Sequence, residues 1–209
     1  MNNERLEPVV WVVDDDEAMR HSLKWLIESV GMRVESFSSA SAFLDRHYPG
    51  RFGCLLLDVR MPGMSGLELL DLLRRDQMLP PTIIITGHGD VPMAVRAMKA
   101  GAIDFIEKPF NDEVLLDAIR RAVMDEEKRR ITRSEAARIR DRVTHLTPRE
   151  NEVMQMVTKG QSNKEIANAL GVSAKTIEAH RARVMEKMQA DSLAELVRMV
   201  IAVEQQPRD

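Results

Sequence analysis

Four short apolar runs in this chain each end on residues that can handle a phosphoryl group. Val9 to Val13 leads into Asp14, Asp15 and Asp16, and Cys54 to Leu57 into Asp58. Thr82 to Ile85 leads into Thr86, and Ile103 to Ile106 into Glu107, Lys108 and Pro109. Gathered in one place, such acids, a hydroxyl and an amine suggest a Mg2+ ion holding phosphate oxygens, because a hard cation takes oxygen ligands and keeps several waters. Taken singly, an Asp after a strand is as readily the cap of the next helix, and Asp16 is assigned that role. Four such coincidences in order favour a shared site.

The gathering requires a particular scaffold. Apolar runs of four to six residues, separated by amphipathic stretches of helical length, read as parallel strands joined by crossover helices. In such a sheet a ligand sits outside the carboxyl ends of the strands, where the strand order reverses. The sequence predicts strands at 8–13, 32–37, 54–57, 82–86 and 103–106, with helices at 17–30, 40–47, from about 67, 91–99 and 112–124. Leu23, Leu26, Ile27 and Val30 fall at helical spacing before Gly31, a glycine placed to stop the helix. The fold class is α/β: a (βα)5 doubly wound parallel sheet over residues 1–123, followed by an all-α four-helix unit.

The motifs VVDDDEAMR, LLLDVRMPGMSG, ITGHGDVPMAVRAMKAGA and DFIEKPF, in that order and at these separations, resemble the response-regulator receiver family across the whole first domain. The resemblance implies that Asp58 is a phosphoryl acceptor, phosphorylated by a partner sensor histidine kinase. It implies that Asp14, Asp15, Asp58 and the backbone carbonyl of Arg60 hold Mg2+ (or Mn2+). Lys108 and Thr86 would contact the phosphoryl oxygens, with a cis peptide at Lys108-Pro109 aiming the Lys inward. Phe105 would turn inward behind Thr86 and so change a face that includes Val91, Val95, Met98, Lys99, Ile103 and Phe105, the expected homodimer surface of the phosphorylated form. Arg60 and His88 stand where family members tune dephosphorylation.

Residues 124–144 are charge-dense and lack Gly and Pro; the four-residue spacing of Asp125 with Arg129 and Glu126 with Arg130 predicts a helical linker. Thr132 with Glu135 has the spacing of a capping box, and Ile139, Val143 and Leu146 form an apolar stripe. Over 145–209, Thr147 with Glu150, Ser162 with Glu165 and Ser192 with Glu195 repeat that capping spacing, and Gly160 and Gly171 stop helices. Four short helices result, at 148–159, 163–170, 174–188 and 192–203, the middle two having helix-turn-helix proportions.

The segments LTPRENEV, GQSNKEIANALGVSAKTIEAHRARVMEKM and SLAELVR resemble the LuxR-type output domain of the NarL/FixJ family, which implies binding to double-stranded promoter DNA and action on RNA polymerase. Ile177, Val184, Met185 and Met188 are expected in the core. Lys175, Glu178, Ala179 and Ala182 lie on the opposite stripe, facing a major groove. Lys175, Thr176, Arg181 and Arg183 are expected near phosphates or bases, with Asn163 and Lys164 anchoring the preceding helix.

Charge is distributed unevenly along the chain. Residues 1–123 carry 14 Lys+Arg against 19 Asp+Glu, 124–144 carry 7 against 5, and 145–209 carry 9 against 9. DNA contact therefore depends on a local patch of the last segment, and a neutral output domain needs two copies to bind well. A single Cys among 209 residues excludes a disulfide framework and fits a reducing compartment. With no signal peptide at the start and no apolar run of membrane length, the expectation is a cytoplasmic protein without membrane contact.

Two other readings compete with a phosphorylation-activated transcription regulator that is not a turnover enzyme. Asp14-x-Asp16 has the spacing of phosphatases that use an aspartyl nucleophile, but Ala18 stands where those want Thr or Val. Alternatively, the output domain binds protein in place of DNA.

Overall fold

In the computed structural model, residues 7–46, 51–87 and 89–204 are described. The chain divides into two compact units, Met1–Arg129 and Arg130–Asp209.

The first unit holds strands β1 (Val9–Val13), β2 (Arg33–Phe37), β3 (Gly53–Asp58), β4 (Thr82–Thr86) and β5 (Asp104–Glu107). All pairings are parallel, in the order β2-β1-β3-β4-β5. Helices α1 (Glu17–Ser29), α2 (Ala40–Arg46), α3 (Gly66–Arg75) and α4 (Val91–Ala100) alternate with the strands, and α5 (Asp112–Thr144) begins after β5. The predicted second helix ends at Arg46, and His47 lies outside the described residues.

Every residue of β1, β3 and β4 is buried, as expected where helices cover both faces of a parallel sheet. On one face Trp11, Phe37, Phe43, Leu55, Leu57 and Ile84 pack with α3 and α4; on the other, Val10, Val12, Leu56, Ile83 and Ile85 pack with Leu23 and Ile27 of α1 and Leu115 and Ile119 of α5. The strand order reverses between β1 and β3, so the crevice opens at their carboxyl ends. Gly66 is required there: a Cβ on it would stand 2.0 Å from the Asp58 carbonyl oxygen. The start of α3 is thereby brought against the strand end that carries Asp58.

The second unit comprises the end of α5 with α6 (Pro148–Thr158), α7 (Asn163–Leu170), α8 (Ala174–Met188) and α9 (Leu193–Glu204). The capping boxes at Thr147 and Ser162 form in full. At Ser192 only half forms: its Oγ accepts from Glu195 N–H at 3.2 Å, but the Glu195 carboxylate accepts from the Asp191 N–H instead. The box predicted at Thr132 is absent, because α5 runs unbroken through it; a cap needs an extended residue, and nothing in this Gly- and Pro-free stretch interrupts the helix. Ile139, Val143 and Leu146 pack against the core of the second unit. Its boundary thus falls within the segment expected to be linker, because that apolar stripe has a core to cover.

An ion pair between a buried carboxylate and a half-buried lysine ties this unit together. Glu150, 2 % exposed, accepts from the Thr147 N–H at 2.9 Å and from Lys187 Nζ at 2.6 Å, while Lys187 also donates to the His145 carbonyl at 3.1 Å. The Lys187 hydrogen bond, aided by Thr147, holds the Glu150 carboxyl at about 2, below its ordinary 4.5. A depressed folded value adds stability that is present above about pH 4.5 and lost as pH falls toward 2. Lys187→Met is expected to destabilise this unit by about 2–3 kcal/mol at neutral pH by leaving a buried carboxylate unpaired. Urea unfolding followed by circular dichroism should show that penalty shrinking between pH 4.5 and 2.

Candidate functional site

β1, β3 and β5 deliver Asp14, Asp58 and Lys108 to one point. Lys108 Nζ donates to Asp14 Oδ2 at 2.7 Å and to Asp58 Oδ1 at 3.2 Å. The remaining carboxylate oxygens are also held: Asp14 Oδ1 accepts from the Asp16 N–H and Asp58 Oδ2 from the Arg60 N–H, each at 2.9 Å. Asp14 and Asp58 are 3 % and 7 % exposed, whereas Asp15 and Arg60 are exposed at the rim. Asp16 caps α1, its Oδ1 accepting from Ala18 and Met19. Thr86 is buried at the end of β4, and its carbonyl accepts from the Lys108 N–H at 2.8 Å. The Lys108-Pro109 peptide is cis.

Burial pushes the Asp58 carboxyl above the usual carboxylate range, with the Asp14 charge adding to it and Lys108 opposing. Burial works against the Lys108 charge as well, but the hydrogen bond and charge of Asp14, with Asp58, outweigh it and raise the amine. The crevice therefore favours positive charge between two carboxylates.

The residues fit a hydrated Mg2+. Asp14 and Asp58 offer carboxylate oxygens, and one from each already shares a cation in the Lys108 ammonium. Among the described residues no three His, Cys, Asp or Glu side chains converge as a ready-made cage. Few protein ligands and several waters are what this small cation takes.

Phe105 is half-buried on β5, opposite Ile84. A Cβ on Gly89 would stand 2.9 Å from the Phe105 ring, so a larger residue at 89 would displace the ring. Sequence reasoning missed this contact. His88 lies outside the described residues. Val91, Val95, Met98 and Ile103 are all exposed apolar side chains, and Lys99 is exposed beside them.

In the second unit, Ser173 caps α8, accepting from the Thr176 N–H, and Gly171 ends α7 with a φ of 67°. Ile177, Val184 and Met188 are buried and Met185 half-buried, while Lys175, Thr176, Glu178, Ala179, Ala182 and Arg183 are exposed. Lys164 is exposed on α7. Arg181 departs from the expectation of an open phosphate contact: it follows Ile177 by four residues, shares its side of the helix, and donates to Asn163 Oδ1 at 2.6 Å. Asn163 and Arg181 thus brace α7 against α8.

An acidic crevice with a lysine at the switch point of a five-stranded parallel sheet, joined to a helix-turn-helix unit, defines a two-component response regulator with a DNA-binding output. The chain belongs to that family: residues 10–120 match the response regulator receiver domain and residues 144–200 the luxR family of bacterial regulatory proteins. Within it, the chain is similar to the transcriptional regulatory protein FixJ of Bradyrhizobium diazoefficiens, 50 % identical over 193 residues, 92 % of this chain and 94 % of that one. Among solved structures it is similar to the response regulator StyR, with a TM-score of 0.84 and 45 % identity over 93 % of this chain and 98 % of that one. Full-length FixJ from B. japonicum matches at a TM-score of 0.59 and 47 % identity, covering 96 % of this chain and 98 % of that one. The chain is a transcription regulator of this class. Among the described residues no helix is long and apolar enough to cross a membrane.

Proposed function

We propose that Asp58 is the phosphoryl acceptor of a switch that controls DNA binding by α7 and α8. The observation that carries this reading is the meeting of Asp14, Asp58 and Lys108 at the carboxyl ends of three strands, with Asp58 buried and within reach of an ammonium. An ionised Asp58 oxygen attacks the phosphorus of a phosphohistidine on a sensor kinase. The P–N bond breaks, and the imidazole leaves with its electron pair and takes a proton.

Asp14, Asp15, Asp58 and the Arg60 carbonyl are the residues to hold Mg2+ (or Mn2+), whose charge offsets the repulsion between a carboxylate and an anionic donor. Lys108 then moves its charge from the carboxylates to the phosphoryl oxygens, and the Thr86 hydroxyl hydrogen-bonds another. As Thr86 shifts, Phe105 turns inward, and the face bearing Val91, Val95, Met98, Lys99 and Ile103 becomes the surface of a symmetric dimer. Paired output units then bind promoter DNA through Lys164, Lys175, Thr176, Glu178, Ala179, Ala182 and Arg183, and engage RNA polymerase. The protein acts in the cytoplasm and turns over no substrate beyond its own aspartyl phosphate.

Incubating the protein with a small acyl phosphodonor and Mg2+, then mapping the label by peptide mass and sedimenting the product, tests this reading. The expected result is one phosphoryl group on Asp58 and a shift from monomer to dimer. A label elsewhere overturns the acceptor, and a labelled monomer at concentrations that saturate DNA overturns the dimer.

A further inference from the structure

The acid pair at the end of β1 is held from an unexpected direction. Arg20 is half-buried on α1, and its Nη1 donates to the carbonyl oxygens of both Asp14, at 2.8 Å, and Asp15, at 2.9 Å. Helical side chains lean toward the N-terminus, so a residue in the second half-turn of α1 covers the loop that precedes it. The same loop is fixed by the Asp14 N–H to the Phe37 carbonyl, by the Asp16 N–H to Asp14 Oδ1, and by the Arg20 N–H to the Asp16 carbonyl. Arg20 directs its fork at carbonyls, and both bonds leave the neighbouring carboxylates to other cations: Asp14 Oδ2 is taken by Lys108.

We propose that Arg20 is a positioning residue for the cation site, its guanidinium fixing the backbone from which the Asp14 and Asp15 carboxylates project. This role rests on the reading of Asp14 and Asp15 as Mg2+ ligands. A planar guanidinium can offer two N–H bonds from one nitrogen in a fixed geometry, whereas an ammonium on a flexible stem keeps the charge without that geometry. Without the two bonds, both carbonyls turn to water and the loop samples other conformations, so ordering the carboxylates around a cation becomes part of the cost of binding it.

Position and charge predict opposite signs. Arg20 also places a positive charge beside Asp14 and Asp15. If only that charge mattered, removing it would tighten Mg2+ binding; if position matters, binding weakens.

The test is a Mg2+ titration of the unphosphorylated full-length protein, followed by the NMR shifts of the amides of residues 14–16 and 58–60. Arg20→Ala is expected to weaken Mg2+ about 10-fold, as loss of a group that orients metal ligands typically does. Arg20→Lys is expected to fall between Arg20→Ala and wild type. Because the defect is in affinity, the rate of Asp58 labelling should return to within about twofold of wild type when Mg2+ is raised to saturate the variant. Unchanged or tighter Mg2+ binding by folded Arg20→Ala overturns the role. If Arg20→Ala does not fold, Arg20→Lys decides, and wild-type affinity in it overturns the role equally. Wild-type amides that fail to respond to Mg2+ would sink the cation site itself; a responsive wild type with an unaffected variant would sink only the role of Arg20.

Discussion

Asp58→Asn is expected to lose labelling by a small phosphodonor by more than about 100-fold, the acceptor oxygen being replaced by an amide of negligible nucleophilicity. The same substitution is expected to make the receiver more stable. Burial, with Asp14 in support, raises the Asp58 carboxyl above its ordinary value. A carboxyl whose folded value is raised stabilises the fold below its unfolded value, and that contribution is lost as pH rises through the folded one. At neutral pH the ionised Asp58 is therefore a burden, and a neutral amide of the same shape relieves it. Urea denaturation at pH 7 should show a higher midpoint for Asp58→Asn, with the advantage vanishing at acid pH. Equal midpoints would mean that Lys108, 3.2 Å from Asp58, fully offsets the burial. Lost function with gained stability marks a charge retained for chemistry.

The second large effect concerns α8. Lys175 and Arg183 are both exposed on the side away from Ile177 and Val184, and residues 145–209, which include them, carry no net positive charge to supply affinity by other means. Replacing both with Ala is expected to weaken DNA binding about 100-fold at physiological salt and to reduce its salt dependence. The size of the second effect counts the copies bound. Each phosphate contact contributes a slope of roughly 0.9; two lost contacts per chain remove about 2 from a monomer and about 4 from a dimer. An unchanged slope in fluorescence anisotropy titrations would place the DNA surface elsewhere. Arg181→Ala should behave differently, because its guanidinium is engaged with Asn163: it should loosen the α7–α8 packing and lower stability more than it changes the slope.

The strand-end residues were legible because buried parallel strands are continuous apolar runs, and the residue after each run must lie at the carboxyl edge. Asp14, Asp58 and Lys108 are 44 and 50 residues apart in succession, yet topology alone brings them within hydrogen-bonding distance. Arg20 was invisible for a related reason. Its acceptors are backbone carbonyls, which leave no trace in residue type. The Glu150–Lys187 pair joins α6 to α8 across 37 positions, and no local pattern announces it. Gly89 is legible only once Phe105 is in place. The error at Thr132 runs the other way: a local capping signal was present, but α5 continues through it, since no glycine, proline or turn accompanies it. Arg181 was expected near phosphates or bases, and its bond to Asn163 joins residues 18 positions apart that no local pattern pairs.

The most direct test is the affinity of the protein for its promoter DNA before and after phosphorylation, measured for wild type and Asp58→Asn at one salt concentration. Phosphorylation should tighten wild-type binding at least about 10-fold, as expected when a second output unit is added in register, and should leave Asp58→Asn at the unphosphorylated value. Equal affinity of the phosphorylated and unphosphorylated wild type, or tightening that survives Asp58→Asn, would contradict the coupling of the crevice to α8.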